Sequence, residues 1–77
     1  MRRKRRLTAR AVSAVFDELD RRLAAGDPFD CAWPAALQHA VDKLGSDAIK
    51  VTALIDREHR TVIRRDYARR GWLGETT

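Results

Sequence analysis

Hydrophobic residues recur at three- and four-residue steps in the first third of the chain, and charged residues lie between them. This spacing is typical of one stripe of an amphipathic helix. The stripe comprises Val12, Val15, Phe16, Leu19 and Leu23. Thr8 has the side chain of an N-cap. Gly26 and the following Asp27-Pro28 favour a helix end, since glycine suits the C′ position and proline cannot continue a helix.

A second, shorter helix is predicted from apolar positions in the middle of the chain. Those positions are Ala35, Leu37, Ala40, Val41 and Leu44. Pro34 suits the first turn of this helix and Gly45 its end. The preceding stretch GDPFDCAWP is predicted to be a loop. Its large apolar side chains, Phe29 and Trp33, are expected to fill the space between the first two helices.

Residues 48–55, AIKVTALI, fit two kinds of secondary structure. As a helix, Val51, Leu54 and Ile55 share a face, whereas the β-branched residues also suit a strand of a hairpin. The helix is favoured because the neighbouring segments are helical and Ser46-Asp47 resembles a cap. The sequence therefore predicts an all-α bundle of three to four short helices. The alternative is an α+β fold with a hairpin at about 48–65.

Charge is distributed as two basic ends around an acidic middle. Residues 1–10 carry six basic and no acidic residues, residues 11–56 carry four basic and eight acidic, and residues 57–77 carry six basic and three acidic. Residues 1–6 are predicted to be a disordered basic arm, because like charges repel and nothing apolar anchors them. Residues 7–77 are predicted to be a single small helical domain.

The sequence carries no recognisable catalytic or metal motif. Cys31, His39 and His59 are too few and too widely spaced for a structural zinc site, which normally has four ligands. Cys31 is expected to be a small buried hydrophobe. We therefore expect no enzyme activity, no cofactor and no metal. No apolar run approaches the length of a membrane span, and a single cysteine suits a reducing compartment, so we expect a cytoplasmic protein without membrane association.

The C-terminal half resembles a helix-turn-helix. Residues 51–56 would end the first helix, REHR would form the turn, and TVIRRDYARR would be the second helix. The resemblance covers about a quarter of the chain, and it departs from the usual pattern. Asp56 stands where a turn glycine is usual, and Arg57 and Arg65 stand at usually apolar positions. A second register, with helices at 34–44 and 48–58 around Gly45, has the turn glycine but a less basic second helix.

The leading hypothesis is a small basic DNA-binding protein, a helix-turn-helix-like regulator from a phage or mobile element. Arginine forms planar, bidentate bonds to phosphate and to guanine edges. Basic N-terminal arms also bind DNA in other proteins. Duplex DNA is the expected partner. The residues predicted to bind it are Arg2, Arg3, Lys4, Arg5, Arg6, Arg60, Arg64, Arg65, Arg69 and Arg70.

The alternative hypothesis is a protein-binding inhibitor or adaptor, for example one that acts on a host nucleic-acid-handling complex. Tryptophan and arginine are typical of interface hot spots. Phe29, Trp33 and Trp72 would then be the anchors of the protein interface. A homodimer that completes the thin core of this short chain is compatible with both hypotheses.

Overall fold

The computed structural model describes the backbone of residues 2–71 and the side chains of residues 8–71. Three helices occur in this range: α1 (Arg2–Ala24), α2 (Phe29–Leu44) and α3 (Ala48–Arg69). None of the residues from 2 to 71 is in a strand. The predicted all-α bundle is therefore confirmed, and the alternative hairpin at about 48–65 is wrong.

Helix α1 begins at Arg2, six residues before the predicted N-cap at Thr8. Residues 2–6, predicted as a disordered arm, are thus part of the helical backbone. Arginine and lysine have high helix propensity, and neither glycine nor proline interrupts the segment. The C-terminal end is as predicted, since Gly26 has a φ of 101° and its N–H donates to the carbonyl of Leu23 at 3.0 Å.

Helix α2 begins at Phe29, within the predicted loop, and Pro34 lies inside the helix. Pro28 takes the N-cap position with φ −66° and ψ 150°. Pro34 has no N–H, so it leaves the carbonyl of Asp30 without the usual helical donor. The earlier start places Phe29 and Trp33 one turn apart on the same face, and both are buried in the core.

Helix α3 is continuous across the residues predicted to form the turn of a helix-turn-helix. The helix-turn-helix with its turn at residues 57–60 is therefore wrong. Those residues include no glycine or proline, and Arg60 is bonded to α2 in mid-helix. The Thr52 hydroxyl donates to the carbonyl of Ile49 at 3.0 Å, one way in which a β-branched residue is accommodated in a helix.

The second helix-turn-helix register has the observed break at Gly45, but α3 runs on to Arg69 instead of ending near residue 58. Gly45 has a φ of 88°. Asp47 occupies the N-cap position of α3, as expected of a cap, yet its side chain makes no capping hydrogen bond. The three-residue connection from Gly45 to Asp47 brings α3 back along α2.

Short connections make neighbouring helices antiparallel, so α1 and α3 run in the same direction. Two hydrogen bonds are consistent with this order. The Trp33 indole N–H of α2 reaches Asp56 in the middle of α3, and the Tyr67 hydroxyl near the end of α3 reaches Asp20 near the end of α1. The interface of α1 with α2 is the most extensive of the three.

The core combines many alanines with a few large side chains. Trp33, Leu19 and Val15 are the largest fully buried side chains. The predicted apolar stripe of α1 is confirmed, since Leu23 is also buried and Val12 and Phe16 pack against the core. The buried alanines, which allow the helix backbones to approach closely, are Ala11, Ala14, Ala32, Ala36, Ala40 and Ala48.

Glu18 is a buried carboxylate on α1 that two neighbouring arginines hold. Arg21 donates to both of its oxygens, at 3.0 and 2.6 Å, and Arg22 donates to Oε2 at 2.7 Å. The hydrogen bonds from Arg21, opposed in part by burial and reinforced by Arg22, lower the pKa of Glu18 to about 2. Arg21 and Arg22 are therefore engaged in structural ion pairs.

We expect replacement of Asp56 by alanine to lower the free energy of unfolding by about 1–3 kcal/mol, because the buried Trp33 N–H would lose its acceptor. Asp56→Asn keeps an acceptor oxygen and should cost less. Urea denaturation followed by tryptophan fluorescence measures both changes. Equal stability of the wild type and Asp56→Ala would show that water replaces the carboxylate at no cost.

We also expect Glu18 to make stability depend on acid pH. Its folded pKa lies below the ordinary value of 4.5, so its stabilising effect is complete above that pH and is lost as the pH falls towards 2. Thermal melts between these two pH values should decline more steeply for the wild type than for Glu18→Gln. Glu58→Gln, at an exposed position, serves as the control. If its melting temperature declines with falling pH as steeply as that of the wild type, the effect is located at Glu18.

Candidate nucleic-acid interface

The C-terminal two-thirds of α3 carries an array of arginines. Residues three and four apart on a helix are neighbours, so Arg57, Arg60 and Arg64 share one side and Arg65 and Arg69 extend it around the helix. From residue 57 to residue 71 there are six arginines and two acidic residues. This part of α3 is therefore strongly basic, whereas the preceding residues 11–56 are net acidic.

A groove runs between the start of α2 and this part of α3, and we call it the arginine groove. Its volume is about 510 Å³. Its lining residues are Asp30, Arg60, Thr61, Arg64, Arg65 and Ala68. A terminal nitrogen of Arg60 lies 3.2 Å from Oδ1 of Asp30, and the Arg64 guanidinium lies 6.0 Å from the centre of the Phe29 ring. The buried ring thus supports one arginine of the groove.

A second groove lies on the other side of α3, between α3 and α1. We call it the α1–α3 groove, and it has an apolar floor with an arginine rim. The residues that line it are Phe16, Val62, Ile63, Arg65, Asp66, Tyr67, Arg69 and Arg70. Arg65 lines both grooves and so joins the arginines of one groove to those of the other. We call this continuous set the arginine ridge; it comprises Arg60, Arg64, Arg65, Arg69 and Arg70.

Tyr67 fastens this ridge to α1. Its hydroxyl donates to Oδ1 of Asp20 at 2.5 Å, and its ring is stacked with that of Phe16 at a centroid distance of 6.3 Å. Burial first, and then the hydrogen bond to Asp20, raise the pKa of the Tyr67 hydroxyl well above its ordinary value. The tyrosine therefore remains protonated and continues to donate at neutral pH.

The arginines of the ridge differ in how firmly they are held. Arg70 donates to Asp66 at 2.6 Å and lies 4.8 Å from the centre of the Tyr67 ring. Arg60 has the longer contact to Asp30. Arg65 and Arg69 are exposed and have no ion pair among the described residues. These two arginines can therefore bind a ligand without first breaking an ion pair to another described residue.

The basic start of α1 lies towards the Arg60 end of the ridge, because α1 and α3 run in the same direction. Tyr67 meets α1 at Phe16 and Asp20, whereas residues 2–6 lie ten or more residues nearer the N-terminus. At 1.5 Å per residue, residues 2–6 lie roughly 20 Å along the axis from the level of Tyr67, but only roughly 10 Å from the level of Arg60, which precedes Tyr67 by seven residues. The side chains of Arg2, Arg3, Lys4, Arg5 and Arg6 fall outside those that the structure describes. Along the axis, the start of α1 is therefore nearer to Arg60 than to Arg70.

The predicted protein-binding anchors are not on the surface that the structure describes. Phe29 and Trp33 are 4% and 2% exposed, because the early start of α2 turns both into the core. Trp72 lies outside the described residues. Cys31 was expected to be buried and is exposed, since it lies on the opposite side of α2 from these two aromatic rings.

Sequence reasoning found the arginines of the site but missed Asp30 and Thr61 as lining residues. Thr61 could have been found, because it is one turn from Arg57 and Arg64 on a continuous helix. Asp30 could not, since its approach to Arg60 depends on how α2 packs against α3. Within residues 8–71, no group of three or more His, Cys, Asp or Glu side chains is placed to hold a metal ion.

Comparison with protein-family models found no match to this chain, and comparisons with curated proteins and with solved structures found no match either. Among the described residues, no helix combines the length and the apolar character required to cross a membrane.

Proposed function

We propose that this protein binds duplex DNA through the arginine ridge of α3. The observation that carries the proposal is the position of Arg65, which lines both grooves and makes the arginines from Arg60 to Arg70 continuous. The binding element is one long helix instead of the second helix of a helix-turn-helix. Its charge supplies the attraction to phosphates that dominates non-specific DNA affinity.

The dimensions of the ridge suit the major groove. An α-helix fits this groove, which is about 12 Å wide. The segment from Arg57 to Arg70 spans roughly 20 Å along the axis of α3. Arginines near its centre can therefore face guanine edges, while those near its ends reach phosphates on either side.

The basic start of α1 would be a second, separate contact. The start of α1 lies roughly 10 to 20 Å from the ridge along the helix axis, which is more than the spacing of adjacent phosphates, so it would reach different phosphates. We propose that it binds the DNA backbone beyond the ridge and adds affinity without sequence information. Its contribution should appear mainly as a steeper dependence on salt.

Duplex DNA is favoured over single strands because of where the aromatic residues lie. Single-strand platforms stack bases on exposed aromatic rings. Among the described residues, Phe29, Trp33 and Tyr67 are buried and Phe16 is half-buried. The burial of Phe29 and Trp33 likewise removes support for a protein inhibitor that would use them as anchors.

We expect Arg65→Ala/Arg69→Ala to weaken duplex binding at least about tenfold near 0.1 M salt and to reduce the slope of log K against log salt by about two. Both residues are exposed and without ion pairs in residues 8–71, so the fold should persist. Fluorescence anisotropy across a salt series measures both effects. The matched control is Lys43→Ala/Lys50→Ala, which removes the same charge from exposed positions away from the ridge.

Equal losses in the two double variants would mean that net charge alone governs binding, and the ridge would not be the binding surface. Absence of wild-type binding at low salt would contradict DNA binding altogether. A chain without residues 1–6 separates the two basic regions. In this shortened chain, we expect Arg65→Ala/Arg69→Ala still to weaken DNA binding more than Lys43→Ala/Lys50→Ala does.

A further inference from the structure

Asp30 is the one acidic residue among those that line the arginine groove, and it contacts Arg60. The contact of Asp30 with Arg60 is a single one at 3.2 Å. Both side chains are largely exposed, at 70% for Asp30 and 47% for Arg60. Glu18, by contrast, is buried and accepts two shorter bonds from Arg21, so its carboxylate is held more firmly than that of Asp30.

We propose that the arginine groove is a seat for one backbone phosphate of DNA, and that the Asp30 carboxylate occupies this seat in the free protein. The inference rests on the proposed function and identifies the residue that the phosphate displaces. Carboxylate and phosphate oxygens accept the same arginine hydrogen bonds, so one anion can replace the other.

The groove offers more to a phosphate than to the carboxylate it holds. Arg64 is positioned by the Phe29 ring, and the exposed Arg65 lines the same groove. Thr61 lies between them on α3 and brings a hydroxyl, a group that commonly binds DNA phosphates. Among the described residues, the Asp30 carboxylate has one ion pair, with Arg60, whereas a phosphate has enough oxygens for several of these donors.

Asp30 should lower DNA affinity in two ways. Its ion pair with Arg60 must break before Arg60 can bind phosphate, and its charge then lies beside the phosphate. An exposed, singly bonded pair is weak, so this opposition is modest and the phosphate prevails. Asp30 thus limits non-specific binding without closing the groove.

The test is a double-mutant cycle on a duplex of about 20 base pairs, two helical turns. The four proteins are the wild type, Asp30→Asn, Arg60→Ala and the double variant. We expect Asp30→Asn to bind about three- to fivefold more tightly, the range that loss of one exposed ion pair allows. In the Arg60→Ala background, the gain should fall to less than half. Asp42→Asn removes an exposed carboxylate elsewhere on α2 and should leave affinity unchanged.

The outcomes distinguish this inference from the proposed function. If the wild type binds DNA and the Asp30→Asn gain is the same in both backgrounds, or no larger than that of Asp42→Asn, the phosphate seat is overturned and DNA binding stands. If none of the proteins binds DNA, both proposals fail. Asp30→Ser should reproduce the gain, and thermal melts of every variant confirm that the fold is intact.

Discussion

The structure depends on one buried side chain, Trp33, and on the polar bond that its burial requires. Six of the thirteen buried apolar residues are alanines, so the tryptophan ring fills much of the space among the helices, and it is stacked on Phe29 at a centroid distance of 5.6 Å. Its N–H cannot be left without an acceptor in the core. Asp56 supplies that acceptor, which fixes the rotation of α3 about its own axis. The side of α3 that carries Arg57, Arg64 and Arg65 is consequently turned outward.

Carboxylates hold some of the arginines in structural ion pairs and leave others exposed on the surface. Glu18 is buried and holds Arg21 and Arg22 against α1, where the low pKa of the carboxyl keeps that pair charged at any ordinary pH. Near α3, Asp30 of α2 accepts a hydrogen bond from Arg60. Asp56 and Asp20 instead accept hydrogen bonds from aromatic side chains. The net result is that positive charge concentrates along the ridge, whereas residues 11–56 carry eight of the eleven acidic residues.

The structural features that could be predicted from the sequence are those that depend on residues close together in the chain. The apolar stripe of α1 and the helix ends at Gly26 and Gly45 follow from local spacing and backbone conformation, and they are observed. The start of α2 at Phe29 and the continuity of α3 were not predicted, and they bring into contact two residues 23 apart, Trp33 and Asp56. The helical arginines of the site were likewise predictable from the sequence, whereas the placement of Asp30 beside Arg60 was not.

The continuity of α3 changes what the arginines can do. In a helix-turn-helix, the residues before and after the turn would lie on separate helices. Here two anchors hold one helix at both ends of the arginine segment: Asp56 to the indole of Trp33, and Tyr67 to Asp20. In both, a buried aromatic group donates to a carboxylate. Arg60, Arg64 and Arg65 therefore keep fixed backbone spacings, and only their side chains must become ordered when an anion binds. Such preorganisation reduces the entropy lost on binding, which is how a small bundle can present an extended basic surface.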